Sequence, residues 1–131
     1  MNTITVENIL VSALSSSMGS IAVVPGTGTS EVAIKAATMI VLANSVDHSV
    51  GNLYKAQIEF RIHSPALVGT DSLTALNGAL NALESAIPNL SSLWPGSAAY
   101  AFGGTWFRSS KITREETFWN AAVEIELGLG A

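Results

Sequence analysis

The chain has 131 residues and a mass of 13.6 kDa, which suits one ordinary domain built around a single hydrophobic core. Its net charge is −4 and its six basic residues are scattered, so no basic stripe is present that could follow a nucleic-acid backbone. The absence of cysteine excludes disulfides and thiolate metal sites, and no apolar run approaches the roughly 20 residues that cross a bilayer.

The surface is expected to be poor in charge. Only 12% of the residues are charged, about half the usual share of a soluble domain. Interface cores are depleted in charge, so contacts with other protein subunits would explain this composition. A surface made of small polar side chains is the alternative.

The N-terminal segment predicts an amphipathic helix. Thr5 can cap a helix over residues 6–18, in which apolar residues recur at spacings of three and four, and Gly19 offers a stop. Residues 1–4 lack the basic start of a signal peptide, so we expect synthesis in the cytosol. A short β-like run and an exposed loop follow at residues 21–30.

Two strands are predicted next. Residues 37–43 are continuously apolar, which predicts a strand buried on both faces near the middle of a sheet. Residues 54–63 alternate strictly between apolar and polar side chains, which predicts a half-buried strand whose apolar side includes Phe60. The polar residues 44–52 would join the two strands through a long loop.

A second helix is predicted to cover the alternating strand. Ser64 and Pro65 end that strand, and residues 70–72 are good capping residues for a helix over residues 71–86. Its apolar residues fall at spacings of three and four on one stripe, and Pro88 ends it. The stripe consists of Leu73, Leu76, Leu80, Leu83 and Ile87.

The sequence pattern of the last third of the chain is less regular. Residues 98–102 and 105–109 suggest short strands, the charged residues 108–116 suggest a loop or hairpin tip, and the alternating residues 121–127 predict a final strand. The whole order predicts one α+β domain over residues 1–131. Its mainly antiparallel sheet of four to six strands would be covered on one face by two helices.

No segment carries a signature of catalysis, cofactor binding or metal binding. Residues 26–30 lack the lysine of a P-loop, and His48 and His63 lie too far from other ligands to suggest a metal site. Glu124 and Glu126 would lie about 7 Å apart on one strand face. That spacing could suit paired carboxylates, although charge on an edge strand is the commoner reason for it. We therefore predict a protein that is not an enzyme.

Aromatic residues concentrate near the charged segment, with all three tryptophans between residues 94 and 119. A satellite of the core is the default explanation. The alternative is a protein interface, where Trp and Arg dominate binding energy. The candidate interface residues are Trp106, Phe107, Arg108, Lys111, Arg114, Glu115 and Glu116.

The order of elements resembles that of the tail-terminator or tail-completion (neck) proteins of long-tailed bacteriophages. The resemblance implies a virion protein of the tail or neck that forms a ring, hexameric in that family, ends growth of the tail tube and joins the tail to the head connector. Its implied partners are further copies of itself, the tail tube protein and the head–tail connector proteins, with DNA only passing through the lumen and no membrane. The segments that carry it are residues 6–18, 21–25, 39–43, 54–62, 71–86 and 121–127.

Three other interpretations stay open. The aromatic segment 89–110 could mark a neighbouring neck or head–tail adaptor protein of the same particle. A small α+β ligand-binding module or enzyme would instead use the aromatic cluster with His48 or His63 as a pocket. A subunit of a cellular assembly is the third. A ring in solution favours a virion protein of the tail or head–tail junction, and a closed pocket with a polar group inside favours the ligand-binding module or enzyme.

Overall fold

A five-stranded sheet organises the protein, with the strands in the order β1-β2-β3-β5-β4. The computed structural model describes residues 3–19, 21–26, 37–48, 51, 53–64, 71–114 and 119–130. Strands β1 and β2 pair parallel, and the other neighbours pair antiparallel. The elements are α1 (Thr3–Leu14), β1 (Ala22–Pro25), β2 (Thr38–His48), β3 (Leu53–Ser64), α2 (Asp71–Ala86), a 3₁₀ turn (Ile87–Asn89), α3 (Leu90–Leu93), β4 (Ala101–Arg114) and β5 (Trp119–Gly130).

The predicted α+β class is confirmed, and β3 is the central strand. Its even-numbered side chains from Ala56 to Ile62 are buried under the helices, while its odd-numbered ones are polar and at least partly exposed. Each strand has two faces because successive side chains point in opposite directions. We call the side that carries the helices the helix face, and the side that carries Lys55, Glu59 and Arg61 the polar face.

Both long helices pack on the helix face. Helix α1 lies over β1 and β2, whereas α2 lies over β3 and β5. The leucine stripe of α2 reaches the apolar side of β3, as its spacing predicts, because Leu76, Leu80 and Leu83 share one buried cluster with Phe60. A buried leucine or phenylalanine contributes about 1.5–3 kcal/mol relative to an exposed one, so this contact is a main source of stability.

The prediction for the region after α2 is wrong in two respects. Residues 101–114 form one strand, whereas two short strands were expected there. Residues 108–114 belong to this strand and not to a loop or hairpin tip, because β5 offers them a full register of backbone partners that outweighs their polar composition. Residues 115 and 116 lie outside the described residues.

Three smaller differences concern strand positions. Strand β2 continues to His48, so the connection to β3 is shorter than predicted. It is buried over residues 38–41 as expected, but it lies between β1 and β3 and the middle of the sheet is β3. Strand β5 lies between β3 and β4, so Glu124 and Glu126 are not on an edge strand.

A β-bulge at Asn44 in β2 is held from both faces of the sheet. On the helix face, the buried carboxylate of Glu7 accepts a hydrogen bond from the Ala43 backbone N–H at 3.0 Å. On the polar face, the Asn44 amide donates to Glu59 at 3.2 Å. A bulge leaves backbone groups without ladder partners, and Glu7 satisfies one of them. Glu7 therefore fixes both the bulge and the position of α1.

We predict that Glu7→Ala lowers the free energy of unfolding by about 1–3 kcal/mol, because the Ala43 N–H is then buried without a partner. Glu7→Gln keeps a carbonyl oxygen at this position and should cost less. Chemical denaturation measures both changes. Glu84→Ala on the exposed side of α2 is the control and should change stability by no more than about 0.5 kcal/mol. Equal losses for Glu7→Ala and Glu84→Ala would contradict the assigned role.

Candidate protein interface

Strand β4 is a long edge strand that extends beyond the helical layer. It pairs with β5 on one side and has no neighbouring strand on the other among the described residues. Helix α2 contacts β3 and β5, and the short α3 contacts β4. An edge strand presents unpaired backbone N–H and C=O groups that can accept another chain. The backbone of β4 is therefore available for contact along 14 residues.

Two bulges divide this edge strand. The register with β5 shifts between Phe102 and Gly104 and again between Phe107 and Ser109, so Gly103 and Arg108 are the extra residues. Gly104 has a φ of 138°, which side chains rarely tolerate. A Cβ on Gly103 would lie 3.0 Å from the Gly128 carbonyl oxygen, so the two strands approach closely here.

The Trp106 ring lies across this close approach. A Cβ on Gly104 would be 3.5 Å from the indole, and one on Gly128 would be 3.4 Å from it. The glycines thus form a flat surface on the polar face on which the ring rests. Trp106 is nevertheless 55% exposed, so much of its surface remains free. A large apolar ring held on a rigid strand is the type of residue that dominates interface energy.

Phe107 points to the opposite face. It pairs with Ile125, whose side chain belongs to the core on the helix face, yet Phe107 itself is 55% exposed. Ile112, which the sequence analysis did not select, lies on the same face and is also exposed. Both lie where β4 extends past α2. The two predicted aromatic residues therefore border the edge on both sides and do not form one patch.

Arg108 is tied to β5 by an ion pair. Its guanidinium donates to the Glu126 carboxylate, which also lies 3.6 Å from the Lys55 ammonium. The Glu126 side chain is only 11% exposed, so these two cations compensate a carboxylate that is largely removed from water. The alternation of residues 121–127 predicted the strand face of Glu126 correctly, but nothing in the spacing indicated that residues from two neighbouring strands would converge on it.

This arrangement lowers the pKa of Glu126. The hydrogen bond from Arg108 is the largest cause, and the positive charges of Arg108 and Lys55 act in the same direction. Partial burial acts in the opposite direction, because it disfavours the charged carboxylate. The net lowering of the pKa keeps Glu126 ionised further into the acid range than an ordinary glutamate, so its pairing with Arg108 persists there.

The remaining candidate residues are placed as follows. Lys111 is exposed on the polar face, since it pairs with Ala122 next to Arg61. Arg114 is the last residue of β4, and its side chain is not among the described features. Glu115 and Glu116 lie outside the described residues.

The aromatic cluster divides into two groups. Trp94, Tyr100 and Phe102 pack against the core, and the Trp94 indole donates to the Tyr100 carbonyl at 2.8 Å. Trp106 and Phe107 stand apart as exposed rings. The core-satellite explanation therefore applies to the first group only. Phe118, another aromatic residue near the charged segment, lies outside the described residues.

The two histidines lie in different places: His48 reaches the aromatic cluster through Tyr54, whose ring centroid is 6.2 Å from that of Tyr100, whereas His63 lies on the polar face. His48 stacks on Tyr54, with ring centroids 4.7 Å apart, and hydrogen-bonds the Gly51 carbonyl. His63 lines a groove on the polar face, and the described lining of this groove contains no Phe, Tyr or Trp. Within the described ranges, no group of three or more His, Asp or Glu residues is placed to hold a metal ion. No described helix is long and apolar enough to span a membrane.

The fold has a relative among solved structures. The chain aligns with a chain of the "Virion of native gene transfer agent (GTA) particle" with a TM-score of 0.54 and 13% sequence identity. The alignment covers 98% of this chain and 92% of the other. No model of a protein family and no curated protein sequence matches the chain. At this identity the likeness shows a shared fold.

We predict that Glu126→Gln destabilises the protein at neutral pH and loses this effect in acid. A carboxyl group whose pKa is lowered by folding stabilises the folded state above its ordinary pKa, and this contribution disappears as pH falls through the lowered pKa. The difference in midpoint denaturation temperature between wild type and variant should therefore narrow as pH falls through the acid range. Thermal unfolding monitored by circular dichroism at several pH values measures it.

Glu124→Gln is the matched control for this prediction. Glu124 lies two residues away on the same face, is exposed, and has no ion pair among the described residues. Its neutralisation should leave the pH dependence of unfolding as it is in the wild type. If both variants changed the midpoint denaturation temperature in acid equally, the contact of Arg108 and Lys55 with Glu126 would not be the cause of that pH dependence.

Proposed function

We propose that the protein is a structural component of a phage-like particle and that it assembles as a ring at the end of the tail tube. In this role it ends tube growth and joins the tail to the head connector. The observation that carries the proposal is β4, a 14-residue edge strand beyond the long helices with exposed apolar residues on both faces.

An edge of this kind is a liability for a protein that acts alone. Unpaired strand edges with apolar side chains promote association, and exposed apolar surface commonly marks a binding site. Trp106, Phe107 and Ile112 remain exposed although the chain has a well-filled core elsewhere. Contact with a neighbouring subunit would cover them, and it would also account for the low share of charged residues.

The shared fold supports a place in a virion. The gene transfer agent chain is part of a virion particle by its printed description, and nearly the full length of both chains aligns. Fold alone does not carry function. Here it agrees with the interface features of β4, which were identified from this chain alone.

Ring assembly requires a contact between two different surfaces of the subunit. A contact of this kind closes into a ring when the rotation between neighbours completes a circle. The sheet offers two edges on opposite sides, since β4 is at one end and β1 at the other. We infer that the β4 side of one copy meets a different side of the next.

The expected assembly is a ring of about six copies. Replacing Trp106 and Phe107 together by alanine should weaken subunit association by roughly a hundredfold or more, since central interface aromatics commonly contribute about 2 kcal/mol or more each. Native mass spectrometry and negative-stain images of the purified protein, alone and with tail tubes, measure assembly. A wild-type protein that stays monomeric in both settings would refute the ring.

Glu84→Ala is the control for the double variant. Glu84 is exposed on α2, which packs on β3 and β5 between the two sheet edges. Its removal should leave assembly unchanged. Rings that survive the double replacement in β4 would show that another surface forms the contact.

The role within the particle is tested by removing the protein from an assembling system. A terminator predicts tail tubes of uncontrolled length, because nothing then stops tube growth. A neck or adaptor protein predicts tubes of normal length that lack heads. Electron micrographs of particles produced without the protein distinguish the two outcomes, and the second would overturn the terminator assignment.

A further inference from the structure

A groove of about 330 Å³ lies on the polar face, away from Trp106 and the Arg108–Glu126 contact. The strand register explains its shape. Arg61, Ala122 and Lys111 form one row across β3, β5 and β4, and His63, Asn120 and Thr113 form the next. The short Ala122 side chain stands between two long cationic ones. The small Ala122 side chain therefore forms the floor of the groove, and the basic side chains of Arg61 and Lys111 form its rim.

The positive charge of Lys111 is not compensated within the described residues. Glu59 is the acidic residue that lines the groove, but both of its oxygens are engaged. One lies 3.0 Å from Arg61, and the other accepts from Asn44 at 3.2 Å. Lys111 has no ion pair or hydrogen bond in the described part of the chain. The groove consequently favours an anionic occupant.

Asn120 adds a second unused group. Its Oδ1 is shut off from water and has no hydrogen-bond partner in the described part of the chain. A buried, unpaired oxygen costs free energy, and a partner that supplies an N–H group would remove that cost. The terminal amide torsion of asparagine is soft, so the group can turn toward an occupant of the groove.

We propose that this groove binds an acidic peptide segment of another protein. A carboxylate of the segment pairs with Lys111 between the two cations of the rim, and a peptide N–H donates to the Asn120 oxygen. A peptide supplies both groups, and the scattered basic residues and net charge of −4 disfavour a nucleic acid as the occupant. The proposal uses a surface other than the β4 edge and does not depend on ring assembly.

Isothermal titration calorimetry at low ionic strength tests the proposal. The probe is a blocked peptide of alternating glycine and glutamate, and its control replaces glutamate by glutamine. Saturable binding of the acidic peptide alone is expected, with roughly tenfold or greater weakening in Lys111→Gln, because a charge-assisted hydrogen bond is lost. Lys55→Gln removes a cation from the same face outside the groove and should leave affinity unchanged.

Asn120→Leu separates binding from folding. This variant removes the unpaired oxygen, so it should weaken peptide binding without lowering the midpoint denaturation temperature. A lowered midpoint denaturation temperature would show that the Asn120 amide stabilises the folded protein. That result would overturn the assigned role of Asn120. Absence of saturable binding to the wild type, or Lys111-dependent binding of a single-stranded oligonucleotide in place of the peptide, would overturn the proposal as a whole.

Discussion

The packing of two helices against one face of the sheet is the constraint on which the structure depends. Phe60 and its apolar neighbours in β3 must be covered, and α2 covers them with Leu76 and Leu83. Because strand side chains alternate, the same requirement turns the polar residues of β3 to the other face. One face is thereby committed to stability, and the other face and the far edge at β4 carry neither of the two long helices among the described residues.

The edge strand β4 is positioned by this arrangement without being covered by it. Strand β5 lies between β3 and the edge, and it holds β4 through a backbone ladder that is interrupted at two bulges. The ion pair of Arg108 with Glu126 and the close approach at Gly103 add side-chain and backbone contacts to that ladder. Trp106 and Phe107 are therefore presented by a rigid element, which keeps the entropic cost of binding low.

The parts of the fold with an uninterrupted period were predictable, and those with a broken period were not. Residues 54–63 and the leucine stripe of α2 keep their spacing throughout, so both their structure and their buried sides follow from the sequence. In β4 the bulges at Gly103 and Arg108 each insert one residue and reverse the alternation. The exposure of Trp106 and Phe107 agrees with the proposed interface, but no local pattern revealed which face of the sheet each ring takes or which residues pair with Glu126.

The same two bulges have a consequence for the free subunit. A straight, regular edge strand can pair with almost any extended chain, and such pairing promotes fibril growth. In β4 the regular pairing is broken at residues 103 and 108. A strand of another chain that pairs with β4 therefore loses register after a few residues. Pairing of β4 with an arbitrary strand is therefore disfavoured, and a strand that pairs along its full length must match both bulges.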